Sequence, residues 1–472
     1  MNLFISNIGR KFIRKSNRNL NRNFNFLNGV ISLGYLLAAV MMVAGPVYAR
    51  GALTLNMPFS APIEGDDFQK FLEGLTATTN IFEIDAQGLA QGKVAVEPWA
   101  GSYWPIYQGI LGNRYASAAF PKTKVFNDYY SHYITNPASG LIAAGQINTL
   151  SPSEKYDLLI GDASGALTHN NWQRGLDDLA KDGGVATWTG ICHGWSAVTH
   201  IETAEPQHSV KVMDVTGTYL IEFYAHDIKG LLSYLWAQSS PPSVQAGQRC
   251  RQDVVEKDPY LRPIDPTCLD SNPMSWHLAI VNRVGIYKKS FVMDSSSGPE
   301  VWNYPIAGYD FSYFNPTTFE SSHSLRAAVE PLENLSADKF SASRDPRTKF
   351  VVGIIMDVFH PALISPRTTN SNGSNVIHTE KYIYDLELDE NYAIIGGEWY
   401  SKEHPDFMWT FPAGSIATTS EDLSLVENWD GKSALPQTYA QGAIHAAQRG
   451  KVLSKITNAL FAESLTSSAA AH

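Results

Sequence analysis

Cys192, His277 and Asp294 are residues of the three types that together perform acyl transfer: a nucleophilic thiol, an imidazole to move its proton and a carboxylate to orient the imidazole. Cys192 lies in Trp188-Thr189-Gly190-Ile191-Cys192-His193-Gly194-Trp195 and is one of three cysteines. Cys250 and Cys268 sit 18 positions apart in a segment rich in Pro, Gln and Asp, and read as a disulfide closing a surface excursion. Such a loop closure stabilises by roughly 3 kcal/mol in the chain-entropy picture. The other pairings, Cys192 with either partner, would extinguish the thiol. With 250 and 268 joined, Cys192 is the unpaired thiol. The pattern puts it in or near the first turn of a helix, where the macrodipole and free N–H groups lower a thiol pKa. Gly190 and Gly194 would let a substrate backbone come close. The alternative use of such a residue is as a small buried apolar group at a helix start.

The base must come from elsewhere in the chain. His193 is adjacent, and consecutive helix side chains diverge. His200 is two turns on, about 12 Å along the axis. His277, in Ser275-Trp276-His277-Leu278-Ala279-Ile280-Val281, is a polar ring within an apolar run that reads as a strand over 277–284. Asp294 ends a second strand over 290–294, where its carboxylate would hold the second imidazole nitrogen. A histidine satisfied by a core carbonyl is the competing use of that position. The oxyanion hole would take the Cys192 N–H and a donor from the preceding turn, with Trp188 and Lys181 as candidates. Trp188, Trp195, Trp276 and Trp302 would either line a water-excluding channel or fill the core.

The elements that must position these residues follow from local signals. Ser151-Pro152-Ser153-Glu154 combines a cap, a proline at the first helical position and a glutamate three residues on. Helical periodicity runs over 172–181. Asp214-Val215-Thr216-Gly217-Thr218 reads as a hairpin turn between 210–213 and 219–224, and Asp227 as the cap of a helix over 228–238. A short helix is expected near 66–75, strands over 349–357, 382–388 and 407–411, and a last helix over 437–460 broken near Gly450. Helices mixed with strands in this order give an α+β fold. The divisions expected are an N-terminal domain (50–150), a catalytic core (151–345), a β-rich module (346–435), and a C-terminal helix and tail (436–472).

Arg10, Lys11, Arg14, Lys15, Arg18 and Arg22 precede an apolar run over 29–47 that closes on Val47-Tyr48-Ala49. A basic start, an apolar stretch and a small residue at the cut describe a secretory signal peptide spanning 1–49. An uncleaved membrane anchor is the competing reading, since the run is near the lower length for a span. After cleavage no membrane association is expected. Removal of the segment leaves 30 Lys plus Arg against 46 Asp plus Glu, a balance of about −16. So acidic a chain repels nucleic acid and leaves carboxylates free for divalent ions.

The blocks Gly190-Ile191-Cys192-His193-Gly194-Trp195, Trp276-His277-Leu278-Ala279 and Val301-Trp302-Asn303-Tyr304-Pro305-Ile306-Ala307-Gly308-Tyr309 resemble the secreted transglutaminase elicitor family of oomycete plant pathogens and marine bacteria. The last block is similar to a surface peptide that plants perceive, from which it departs at Tyr304, Ile306, Ala307 and Tyr309. The resemblance implies a papain-like core with flanking domains and a calcium-dependent protein-glutamine gamma-glutamyltransferase with no organic cofactor. Its partners would be proteins presenting glutamine and lysine side chains. By the same resemblance Cys192 is the nucleophile and His277 the base, with Asp294 matched by its place on the following strand. No EF-hand loop of the Asp-x-Asp-x-Asp-Gly kind occurs in the sequence. A cysteine peptidase or glutamine deamidase would use the same residues, and a noncatalytic recognition protein would present 301–309 as its epitope.

Overall fold

The computed structural model describes residues 62–466, apart from positions 64, 202, 251, 253, 259–261 and 372–374. The expected signal segment with its cut at Ala49, and the tail from 467, lie outside the described residues. Among the described residues no helix is long and apolar enough to cross a membrane.

The fold is α+β. Its strands are β1 (Gln91–Lys93), β2 (Val210–Met213), β3 (Leu220–Phe223), β4 (Val244–Gly247), β5 (Val292–Asp294), β6 (Asn303–Pro305), β7 (Gly308–Phe314), β8 (Ser321–Ser322), β9 (Glu330–Pro331), β10 (Phe350–Pro361), β11 (Ile377–Leu388), β12 (Ile394–Gly396) and β13 (Phe407–Thr410). They form a seven-stranded sheet along the path β1-β7-β10-β11-β12, with β8 on β7 and β9 on β10, a four-stranded sheet β4-β13-β5-β6, and the β2-β3 hairpin. The hairpin turn is tied by Asp214, whose carboxylate accepts the N–H groups of Thr216, Thr218 and Tyr219. β10 and β11 pair antiparallel from Phe350 opposite Leu388 to Pro361 opposite Ile377. Both run well past the expected strands: the added residues of β10 are mostly buried, and the largely exposed 377–381 of β11 pair with them along the ladder.

The four-stranded sheet lies between two apolar cores, and its residues alternate between them as a strand's period of two requires. Val292 and Trp409 join the first core; Met293 and Met408, each one position away, join the second. The first core holds α1 (Pro152–Ile160), α3 (Cys192–His200), α4 (Ala225–Ser239), α6 (Gln437–Gln448) and α7 (Ser454–Leu465), joined by Trp99, Trp104, Ile106 and Leu111 from the N-terminal segment. The chain around Trp104 is therefore part of the interior. Gly230 on α4 is required there, since a Cβ would meet the Trp104 ring at 2.6 Å.

Local signals account for the helices of that core. α1 begins on Ser151, with Glu154 completing a reciprocal capping box. α2 (Ala166–Asp182) starts earlier than expected because Asp157 and Asp162 accept its first N–H groups. At α4 Asp227 is not the cap but the third helical residue, accepting the Tyr224 N–H at 2.8 Å. Its other partners are Tyr115 Oη and the Lys155 ammonium, the latter at 2.6 Å with both side chains buried. Breaking such a pair by removing one member costs about 3–5 kcal/mol.

The second core contains the segment expected to be a strand over 277–284. It is helical: α5 (Pro273–Ala279) runs into a π-turn at Ile280–Ile286. Asn272 caps the first turn by accepting the Met274 N–H, and Pro273 supplies the preset φ of the first helical position. An apolar run is compatible with either element when it is buried on all sides, and here the cap decides. The expected Cys250–Cys268 disulfide is present, and Cys192 is the free, buried cysteine.

Candidate active site

Cys192 opens α3, and no side chain caps the preceding Ile191. The turn before it is fixed by the N-terminal segment: Ile191 donates to Tyr103 O at 2.7 Å, and Ile106 to Thr189 O at 2.9 Å. Gly190 and Gly194 serve this internal contact rather than a substrate's approach. A Cβ at Gly190 would lie 2.4 Å from Tyr103 O, and one at Gly194 2.1 Å from Ser233 O on α4. α3 is therefore pressed against its neighbours at both ends of the Gly-Ile-Cys-His-Gly stretch.

The thiol points at β6 and the loop before it. Its S–H faces Val301 O at 3.8 Å, and Asn303 Nδ2 donates to the sulfur at 3.5 Å. Asn303 is held in turn by the Trp409 indole, which donates to Asn303 Oδ1 at 2.7 Å. Asp294 stands opposite Asn303 in the β5–β6 register and is fully buried. Its Oδ1 accepts the Trp302 N–H at 2.8 Å, while Oδ2 has no hydrogen-bond partner. Burial pushes this carboxyl up to about pKa 7. Burial also raises the Cys192 thiol; the Asn303 donors pull it down and the Asp294 charge adds to the rise. The expected lowered pKa is thus not found: burial outweighs the Asn303 donors and the thiol is raised.

The structure brings Asp294 to the thiol's face of the four-stranded sheet and leaves His277 on the other. Phe311 and Tyr384, which His277 contacts, both belong to the second core. His277 Nδ1 bonds Tyr384 Oη at 2.8 Å, its ring packs 5.1 Å from Phe311, and burial lowers its pKa to about 3. The expected pairing with Cys192 is not formed. The strand assignment misplaced the imidazole, since α5 turns it into the space between the two sheets.

A different imidazole lies against the residue next to the thiol's amide donor. His360, near the end of β10, is 1% exposed, and its ring lies 4.1 Å from that of Tyr304 on β6. Tyr304 is the neighbour of Asn303, and its phenol is raised by burial and by the field of Cys192. His360 Nδ1 bonds Pro361 O at 3.1 Å; Nε2 has no hydrogen-bond partner and lies 3.7 Å from Glu380 Oε1 on β11. This imidazole–carboxylate pair spans two adjacent strands. The expected strand stopped at 357, short of His360, and the available signal was a histidine closing the apolar run.

Of the tryptophans, Trp195 and Trp276 are fully buried core residues in different cores. Trp302 is half-buried and meets Tyr103 edge-on at 5.5 Å beside the thiol. Lys181 is solvent-facing, its side chain 81% exposed. Within 301–309, Ile306 and Tyr309 are at 0% and 1% exposure, while Val301, Trp302 and Tyr304 are partly exposed. Among the described residues no group of three or more His, Cys, Asp or Glu is arranged to hold a metal ion, and no step below is routed through calcium.

A cavity of about 370 Å³ adjoins the nucleophile's turn, with Gly190, Ile191 and His193 on one wall and Gln173, Arg174 and Gln238 on another. A second, of about 330 Å³, lies by Trp399 and His404 and contains none of the candidate residues.

A family model described as "Transglutaminase elicitor" matches residues 71–425. The crystal structure of the GP42 transglutaminase from Phytophthora sojae superposes with a TM-score of 0.50 at 20% identity, covering 76% of this chain and 93% of that one, a likeness of fold. No curated protein matches the chain.

Proposed function

Since this chain belongs to the transglutaminase elicitor family, we propose that it is a secreted protein-glutamine gamma-glutamyltransferase working through a thioester on Cys192. The observation that carries the reading is the lone free thiol at a helix start with an amide donor, Asn303 Nδ2, aimed at its sulfur. The core is read as papain-like in logic: a cysteine at a helix N-terminus faces a sheet that supplies the acid–base groups.

In this mechanism the thiol gives its proton to His360, and the sulfur attacks the glutamine carboxamide carbon. His360 rather than His277 is the imidazole because it packs on Tyr304, whose phenol lies in the field of Cys192, and has a carboxylate, Glu380, near one nitrogen. Asn303 Nδ2 stabilises the oxyanion. The imidazolium protonates the leaving amide nitrogen, ammonia departs and the thioester remains. A lysine amine then attacks, the C–S bond breaks, and an isopeptide bond forms with return of the thiol.

The test is incorporation of a fluorescent amine into a glutamine-containing protein, with ammonia release followed in parallel. Amine incorporation that disappears in Cys192→Ser supports the transferase. Ammonia release without amine uptake would identify a deamidase, and neither activity a recognition protein.

A further inference from the structure

We propose that Asp294 selects the acceptor: its carboxylate receives the incoming lysine ammonium beside the thioester and takes the proton that must leave before nitrogen can attack. This deepens the reading of Cys192 as an acyl carrier and rests on it.

Three features of the site converge on this role. Asp294 is 0% exposed, yet Oδ2 has no hydrogen-bond partner. An unpartnered buried carboxylate oxygen is costly, and a donor arriving from outside would remove that cost. The carboxylate is on the thiol's face of the sheet, opposite Asn303 in register.

The second feature is the local field. Asp406, just before β13, also has a buried oxygen, Oδ1, without a partner, and Asp270 lies close enough to raise its pKa, as does Asp294. His404 faces Asp270 at 2.6 Å. Arg249, the positive group nearest Asp294, donates to Pro299 O at the exposed loop. Carboxylates gathered this way favour a cation over water at the open oxygen.

The third is a shared cover. One peptide group closes both reactive atoms: the Val301 carbonyl faces the thiol at 3.8 Å, and the Trp302 N–H of the same amide holds Asp294 Oδ1 at 2.8 Å. Any movement of Val301–Trp302 that admits glutamine to sulfur also uncovers the carboxylate.

The step balances. R–NH3+ gives one proton to the Asp294 carboxylate, and its lone pair attacks the thioester carbonyl. As the C–S bond breaks, a second nitrogen proton passes to sulfur, restoring the thiol, and Asp294 releases its proton to solvent.

The experiment is a partition between two nucleophiles. Cadaverine is cationic at neutral pH; hydroxylamine is uncharged and needs no proton acceptor. Asp294→Asn keeps the shape and an oxygen for the Trp302 N–H while removing the charge. The ratio of cadaverine product to hydroxamate is expected to fall at least tenfold in the variant, whatever happens to total acylation. A ratio equal to that of the unaltered protein overturns the proposal. If the unaltered protein makes neither product, the acyl-carrier reading fails instead. Asp294→Ser, with the same readout, serves if the asparagine variant does not fold.

Discussion

Two buried histidines each lie close to a tyrosine, one within the second core and one at the end of β10, and their surroundings differ. On the second-core face, His277 is hydrogen-bonded to Tyr384 and packed against Phe311. At the end of β10, His360 lies against Tyr304, which packs on both cores and is next in sequence to the thiol's amide donor, with a carboxylate 3.7 Å from its other nitrogen. A histidine's chemistry is set by what its neighbours put in front of it. The apolar company of His277 makes it a neutral core residue with one specific bond.

Exchanging the two imidazoles' roles is the strongest way to break this contrast. His360→Ala is expected to lower amine incorporation by about 10²–10⁴-fold, the usual worth of a positioned acid–base group. His277→Gln should change it by less than tenfold while costing about 1–3 kcal/mol of stability. Initial rates and denaturant midpoints measured on both variants decide between them, and the opposite ranking of rates would restore His277 as the base. Asn303→Ala sharpens the same contrast at the thiol: kcat should fall by about 10²–10³-fold with little change in donor KM, as for loss of an oxyanion donor.

The smallest effect is on acid stability. Burial keeps folded His277 neutral down to about pH 3, whereas the unfolded chain takes up the proton near 6.5, the ordinary value of an imidazole. Its stabilising share is therefore complete above about pH 6.5 and is lost as pH falls toward 3. Urea midpoints followed from pH 7.5 to 4 should decline less steeply in His277→Gln than in the unaltered chain. Parallel slopes would remove His277 as a source of the decline.

Much of the frame was legible because it is local. Ser151 with Glu154, the Asp214 turn, the pairing of Cys250 with Cys268 and the helix start at Cys192 each depend on a few neighbouring residues. The site was less so, because its geometry is set across strands. His277 was misread since an apolar run buried on all sides carries no period, and the deciding cap, Asn272 before Pro273, lies outside the run. His360 and Glu380 become neighbours only through the β10–β11 register. Asn303 sat in a block read for its resemblance to a recognition peptide, and nothing in its composition marks it as a donor to sulfur. The thiol's raised pKa was equally hidden, since a helix start is visible in sequence and the depth of its burial is not.

Trp409 aims Asn303 from 106 positions downstream. A nascent or C-terminally shortened polypeptide thus contains the sulfur and the stretch that covers it long before it has anything to steer the amide. Catalytic competence should arrive late in biosynthesis, once β13 has joined the sheet, so that truncated products of translation or proteolysis are harmless to the proteins around them.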